Sequence, residues 1–317
     1  MLAYARRTMK RQRVVTQMVR SWHTVQRRVE KTSDGARDAV GATRPFSCVE
    51  VDGVSLTYND SGSEKGFVIV CLHATGHGAR DFEGTIRRLG NEHRIIALDW
   101  PAQGRSSNDT KPHSMQRYAE LLEGFLDKLG ITKCVLIGNS VGGGAAVLFA
   151  ARHPGRVRGL VLENPAGLAP VDAPTGAVMR AVARAFAEGA KGAPWFPPVF
   201  AAYYRLILPL PAARAQRTRI IAAAVESAPA LAAAWTSFAE RAADLRSLVP
   251  AVTAPTLVLW AKSDRINVLA RSRGAIDMFK HLRFIELPGG HAPHLEVPEA
   301  FEGAVRRFLS ELDRHTN

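Results

Sequence analysis

From residue 46 onward, short apolar runs alternate with longer segments in which apolar residues recur every three or four positions. The short runs predict buried strands, and the longer segments predict amphipathic helices. Strands are predicted over 46–53, 54–62, 67–73, 94–100, 133–139, 156–164, 256–264 and 283–291. Helices are predicted near 80–89, near 268–280 and over 297–313. Another begins at an N-cap at residue 114 and ends near 129, and one runs from the glycine-rich turn after the strand 133–139 to just before residue 153.

Strands that alternate with helices pair in parallel through right-handed crossovers. The pattern therefore predicts an α/β fold, with a mostly parallel central sheet covered by helices on both faces and an antiparallel hairpin at its start. Between 168 and 249 no strand-like run occurs, and 25 residues are Ala, which favours an inserted helical segment. Ligands in open α/β sheets bind beyond the carboxyl ends of the strands, so an insertion at such an end is placed to cap the site.

The predicted organisation is a basic N-terminal arm over 1–44, the first part of the core over 45–167, a helical cap over 168–249, and the second part of the core over 250–317. The chain carries 42 Lys and Arg against 29 Asp and Glu, a net charge of +13. The arm holds +8 of this charge, so the excess gives no reason to expect a nucleic-acid partner for the fold. No apolar run approaches the length of a membrane-spanning helix, and we expect a cytoplasmic protein.

The arm has a pattern of its own. Its first 29 residues contain no acid, and five apolar residues have the spacing of one helix face: Val15, Met18, Trp22, Val25 and Val29. A basic amphipathic helix is compatible with peripheral contact to an anionic membrane, or with an organelle-targeting peptide over residues 1–30. The alternatives are a solvated arm and a helix packed on the domain surface. Nothing in the arm looks catalytic.

The sharpest chemical signal is Gly138-Asn139-Ser140-Val141-Gly142, which follows a predicted buried strand and precedes a predicted helix. In that context G-x-S-x-G is a tight turn that exposes a strained serine above the sheet, and the flanking glycines leave room for the turn. We therefore predict that Ser140 is a catalytic nucleophile.

A serine hydroxyl needs a base, and the base needs a carboxylate that fixes its tautomer. His291 follows the last predicted strand on a Gly-Gly loop and is the preferred base, with His294 as its competitor. Asp264 follows the strand before it and is the preferred acid, with Glu163 as the alternative. We expect no metal and no organic cofactor. The three cysteines lie in apolar runs without a CxxC pair and are predicted to be buried, reduced thiols: Cys48, Cys71 and Cys134.

Acyl transfer also needs hydrogen-bond donors for the oxyanion. The backbone N–H of Val141, directly after the nucleophile, is one candidate. The loop after the third strand supplies the other, for which Thr75 is preferred and Ala74 is the alternative. His73 on this loop is expected to hydrogen-bond locally and to shape the loop.

These motifs resemble the α/β-hydrolase superfamily, in particular its cap-bearing serine hydrolases, from about Phe46 to Leu309. LHATG resembles the oxyanion loop, DWPAQGRSS the loop after the fourth strand, GNSVGG the nucleophile elbow, and GGHAPHLEVPEAF the stretch around the histidine. Ala74 and Ala102 stand where the family usually has Gly, and the usual Gly and Pro around the acid are missing near Asp264. Serine at the elbow argues against dehalogenases and epoxide hydrolases, which use Asp there.

The resemblance implies a two-step serine hydrolase that cleaves an ester or related acyl bond through Ser140, Asp264 and His291. Aromatic residues of the cap predict a largely apolar pocket for a small-molecule substrate, and Trp195 and Trp235 are the candidate substrate-binding residues. One alternative is a carbon–carbon bond hydrolase of the meta-cleavage type, which GNS at the elbow resembles, although Ala292 replaces the Trp that tends to follow the histidine. Another alternative is a non-catalytic ligand-binding member of the superfamily.

Overall fold

The structure, a computed structural model, describes residues 46–314. The predictions for the basic arm lie outside the described residues. Eight strands form one sheet: β1 Ser47–Val51, β2 Val54–Asp60, β3 Val68–Leu72, β4 Arg94–Leu98, β5 Cys134–Asn139, β6 Val157–Glu163, β7 Thr256–Ala261 and β8 Leu282–Leu287.

The strand order is β1-β2-β4-β3-β5-β6-β7-β8. β1 pairs with β2, and β2 with β4, in antiparallel fashion, and all remaining neighbours are parallel. This confirms the predicted α/β fold with its antiparallel hairpin. The crossovers between parallel strands place the carboxyl ends of β3, β5, β6, β7 and β8 at the same edge of the sheet.

Helices cover the sheet between these strands. Outside the insertion they are α1 Glu83–Leu89, preceded by a 3₁₀ turn at Ala79–Phe82, α2 Met115–Lys128, α3 Val141–Arg152, α8 Leu269–Ile276, the short α9 Pro293–Glu296 and α10 Pro298–Arg314. Helix α2 begins at the predicted N-cap, where the Ser114 Oγ accepts a 3.1 Å hydrogen bond from the Arg117 backbone N–H. Such a cap satisfies one of the free N–H groups at the helix start.

The core lies on both faces of the sheet. In β5, Val135 and Ile137 pack into the cluster on one face, whereas Cys134 and Leu136 pack into the cluster on the other. Alternation of this kind explains why the central strands appear in the sequence as continuous apolar runs. Each fully buried aliphatic side chain stabilises the fold by about 1.5–3 kcal/mol, so the two clusters hold the strand ends in fixed positions.

The inserted segment, residues 168–249, leaves the sheet after β6 and returns before β7. It contains four helices, α4 Ala173–Ala190, α5 Phe196–Ile207, α6 Arg214–Ala222 and α7 Ala224–Phe238, with 3₁₀ turns at Pro211–Ala213 and Arg241–Ala243. A further 3₁₀ turn, Arg246–Ala251, begins at its end and leads to β7. The segment has its own aromatic cluster, which includes Phe186, Phe196 and Phe200. Within 46–314 no single helix is long and apolar enough to cross a membrane. The consecutive helical stretches Pro211–Ala222 and Ala224–Phe238 together have the length and composition of a membrane span, but they are bent by 88° relative to each other.

One burial prediction needs correction. Cys71 and Cys134 are buried free thiols, as predicted, but Cys48 is exposed. Cys48 lies on β1 at the edge of the sheet, where β2 is the strand's neighbour on one side only. An edge strand leaves part of its surface to solvent, so an apolar neighbourhood in the sequence did not ensure burial.

Candidate active site

Ser140 lies at the sharp turn between β5, which ends at Asn139, and α3, which begins at Val141. Its backbone has φ 53° and ψ −116°, a conformation that non-glycine residues rarely adopt. A Cβ at Gly138 would lie 2.6 Å from the Gly142 carbonyl oxygen, and a Cβ at Gly142 would lie 2.3 Å from the Leu72 carbonyl oxygen. The turn therefore tolerates no side chain at either flank, which is the steric reason for the G-x-S-x-G spacing.

His291 and Asp264 form a hydrogen-bonded pair beside this turn. The distance from His291 Nδ1 to Asp264 Oδ2 is 2.9 Å, and the two side chains are 5% and 1% exposed. The other carboxylate oxygen, Asp264 Oδ1, accepts backbone hydrogen bonds from Ile266 at 2.8 Å and from Asn267 at 3.2 Å. Because Nδ1 donates to the acid, Nε2 is the nitrogen left to act as a base.

Two asparagines that the sequence analysis did not assign fix the histidine backbone. The Nδ2 groups of Asn139 and Asn164 donate to the His291 carbonyl oxygen at 2.9 and 3.0 Å. Asn164 Oδ1 also accepts from the Ala261 backbone N–H at 2.8 Å, so this side chain joins the ends of β6 and β7 to the histidine loop. Its φ of 43° is a further sign of a constrained site. The position of Asn139, next to the nucleophile, was a signal that could have found the first of them.

Ser140 and His291 line one cavity, which leaves about 120 Å³ for the centres of water-sized molecules. Its walls come from the β3 loop, the β6 loop and the inserted segment, and they are mostly apolar. The lining residues include no Lys or Arg. The inserted segment contributes the lining residues Ala169, Pro170, Val171, Thr175, Met179, Phe186, Tyr203, Tyr204, Ile207, Leu231, Trp235, Phe238 and Ala243.

The two tryptophans that we predicted as substrate-binding differ in position. Trp235 lines the cavity, whereas Trp195 does not and is 45% exposed. The expectation for Trp195 is corrected because this residue precedes α5 on the outer side, where its ring contacts Phe196 edge to face at 6.1 Å. Phe196 and Phe200 belong to the segment's own buried cluster.

The predicted oxyanion donors lie near the serine. Val141 is the first residue of α3, directly after Ser140, and Thr75 lines the same cavity as Ser140. Ala74, the alternative, also lines it. The assignment of the Thr75 and Val141 N–H groups as oxyanion donors stays a prediction.

His73 has the local role predicted for it. Its Nδ1 lies 2.7 Å from the Ala74 carbonyl oxygen, and its Nε2 accepts from the Trp100 backbone N–H at 2.9 Å. Burial lowers the pKa of His73 to about 4, although the hydrogen bond to Ala74 opposes this shift. His73 is therefore a neutral structural side chain that joins the β3 and β4 loops.

His294 and Glu163, the competing base and acid, pair with each other. Glu163 Oε2 lies 2.9 Å from His294 Nδ1 and accepts from the His294 backbone N–H at 3.0 Å, and both side chains are fully buried. Burial alone would lower the pKa of His294, but Glu163 and Asp81 outweigh it and raise the pKa to about 9. Neither residue lines the cavity, so the geometry favours His291 and Asp264.

Asp81 links this pair to the cavity wall. It lies on the 3₁₀ turn before α1, with His77 Nδ1 at 2.5 Å and His294 Nε2 at 3.9 Å from its Oδ2. Burial favours the neutral acid, but His77 and His294 outweigh it and hold the pKa of Asp81 below its usual range. Over residues 46–314 no group of three or more His, Cys, Asp or Glu side chains is arranged to hold a metal ion.

The sheet, the strained serine and the adjacent histidine–aspartate pair define a hydrolase of the α/β class. Residues 69–304 match the alpha/beta hydrolase family, and the chain belongs to this family.

Relatives within the family differ in the bond that they cleave. The chain is 38% identical over 128 residues to a 2-hydroxy-6-oxononadienedioate/2-hydroxy-6-oxononatrienedioate hydrolase of Burkholderia vietnamiensis, a match that covers 38% of this chain and 44% of the relative. The chain thus spans less than half the length of that relative. Among solved structures, a bacterial membrane phospholipase A has a TM-score of 0.74 at 25% identity, over 92% of this chain and 93% of that one. An esterase from Thermogutta terrifontis has a TM-score of 0.73 at 25% identity, over 85% and 99%.

Proposed function

We propose that this enzyme is a serine hydrolase that cleaves an ester or related acyl bond of a small, largely apolar substrate. The observation that carries the proposal is the cavity: Ser140 at its strained turn and His291, held by Asp264, face one apolar space. A carbonyl substrate bound there meets the nucleophile and the base together, and the apolar walls keep bulk water away.

The proposed reaction has two steps. His291 Nε2 takes the Ser140 proton as Oγ attacks the carbonyl carbon, and the backbone N–H groups of Val141 and Thr75 stabilise the oxyanion. The protonated imidazole then gives its proton to the leaving group, which departs and leaves an acyl-serine. Water, deprotonated by His291, hydrolyses the acyl-serine and restores the free hydroxyl. Asp264 holds the Nδ1–H tautomer and balances the imidazolium charge.

A fluorophosphonate probe and nitrophenyl esters of graded chain length test this proposal. The wild type should be labelled on Ser140 and should hydrolyse short to medium esters. Ser140→Ala should no longer be labelled, and its kcat should fall by a factor of about 10⁴–10⁶. Its circular dichroism spectrum and Tm should match those of the wild type. A folded Ser140→Ala variant that retains most of its turnover would refute the nucleophile. An unlabelled wild type without turnover would favour the non-catalytic, ligand-binding alternative.

Carbon–carbon bond hydrolysis is the second candidate. The named Burkholderia relative and the Asn139 beside the nucleophile support it. The cavity argues against a dicarboxylate such as that relative's substrate, because none of its lining residues is Lys or Arg. The kcat/KM for a ring-cleavage dienoate, followed by loss of its absorbance, should be compared with that for the best ester. A dienoate value above every ester value would replace the ester proposal.

A further inference from the structure

The apolar cavity has a second histidine–aspartate pair in its wall. His77 lines the cavity, and its Nδ1 lies 2.5 Å from Asp81 Oδ2. Among the described residues, Nε2 of His77 has no hydrogen-bond partner. The pair thus has the form of His291 with Asp264: one ring nitrogen is fixed by a buried carboxylate, and the other is unbound. The reaction proposed above uses only one of these two imidazoles.

Asp81 is held firmly enough to fix this ring. Its side chain is fully buried, and it accepts a hydrogen bond from Gln216 Nε2 of helix α6 as well as lying beside His77 and His294. His294 is itself fixed by Glu163 and stacks on Phe82 with ring centroids 4.5 Å apart. A side chain that is held from several directions in this way positions its partner precisely.

The fixed tautomer determines what His77 can bind. In the uncharged tautomer whose Nδ1 proton is directed at Asp81, Nε2 of His77 carries a lone pair and accepts a hydrogen bond. The negative charge of Asp81 behind the ring strengthens this acceptor. The phenol ring of Tyr204 lies 5.8 Å from the His77 ring and is buried, and burial raises the pKa of this phenol. The surroundings of His77 therefore suit an uncharged donor, and the cavity lacks a Lys or Arg to neutralise an anion.

We propose that His77 is a specificity-determining residue that accepts a hydrogen bond from a hydroxyl group of the substrate, away from the bond that is cleaved. The preferred substrate is then an apolar acyl compound with one such hydroxyl. This inference rests on the proposed function of Ser140, because it assigns a second contact within the same cavity.

The test uses nitrophenyl hexanoate, isomers with a hydroxyl at successive carbons of the acyl chain, and the ω-carboxy derivative. The measured quantity is the ratio of kcat/KM for each substituted ester to that for the plain ester. The wild type should favour at least one hydroxylated isomer. His77→Phe, which keeps a ring of similar size, should lower that ratio about tenfold through KM. His77→Gln, which keeps an acceptor, should restore part of the ratio. Val178→Ala, a change of an exposed residue on helix α4 that does not line the cavity, is the control and should leave the ratio unchanged.

Fluorophosphonate labelling of each variant separates the two proposals. A wild type that is neither labelled nor active contradicts the function proposed for Ser140. If labelling is normal but no hydroxylated isomer is preferred, or His77→Phe keeps the preference, the assignment of His77 is wrong. If His77→Phe lowers kcat/KM more for the ω-carboxy ester than for the hydroxylated esters, the role of His77 as a hydrogen-bond acceptor is wrong. Loss of labelling in a folded His77→Phe variant would make His77 part of the nucleophile's activation instead, which also overturns the proposal.

Discussion

The buried pair of His294 and Glu163 should make the stability of the fold depend on pH. A pKa of about 9 against an ordinary 6.5 means that the folded protein holds the His294 proton more tightly than the unfolded chain. At 1.36 kcal/mol per pKa unit, this difference is worth about 3 kcal/mol. Because the folded-state pKa is raised, the contribution is fully present below about pH 6.5 and is lost as the pH rises through about 9.

Glu163→Gln is the perturbation that tests this reasoning. It keeps the size of the side chain but removes the charge that holds the His294 proton. We expect the free energy of unfolding, from urea titrations at pH 6.5, to fall by about 2–4 kcal/mol. The difference from the wild type should narrow steadily toward pH 9.5, because His294 of the wild type becomes neutral there. Other groups that titrate in this range are present in both proteins and cancel in the difference.

Glu302→Gln is the matched control. Glu302 is also a mostly buried carboxylate, but its partner is Arg88, which stays charged throughout this range. Its effect on stability should therefore be the same at pH 6.5 and at pH 9.5. A Glu163→Gln effect that is equally constant with pH would refute the protonated His294. If Glu163→Gln instead abolished ester turnover in a folded protein, Glu163 rather than Asp264 would be the acid of the site.

Three further predictions concern catalysis. His291→Ala should be as damaging to kcat as Ser140→Ala, and the double variant should lose little more, since the two act as a unit; independent, additive losses would contradict this. Asp264→Asn should keep the Tm of the wild type but lower kcat for the best ester by a factor of about 10⁴, because an amide no longer holds His291 in the tautomer that leaves Nε2 free to act as a base. Trp235→Ala should shift the preferred ester chain length and change KM about tenfold, whereas Trp195→Ala should leave the chain-length profile as it is.

The strands could be predicted from the sequence because their signal is local. All eight predicted strands occur, within a few residues at each end, and both β5 and β7 are buried along their whole length. Helix α2 begins where Ser114 indicates it. The elbow is also a local feature, since Gly138 and Gly142 avoid clashes within one turn and its neighbouring strand.

The contacts around the site are not local, and for this reason they were not predicted. Asn164 lies 127 positions from His291 in the chain, and Asp81 lies 135 positions from Gln216. The strand order brings the first two side chains together, and the packing of the inserted helix α6 beside the turn at Ala79–Phe82 brings the second two together. The aromatic residues of the inserted segment show the same limit, since the sequence marks Trp195 and Trp235 as apolar residues of this segment but not which ring faces the cavity.

Histidines at the same edge of the sheet differ in whether their rings line the cavity or are buried away from it. His291 and His294 are three residues apart, yet the turn into α9 directs one to Asp264 and the other to Glu163. The first histidine lines the cavity, and its Nε2 is the nitrogen that the proposed reaction uses as the base. The second is sealed between carboxylates, so it can only contribute to stability. Exposure to the cavity, which no sequence motif encodes, therefore distinguishes the histidine proposed as the base from the buried His294.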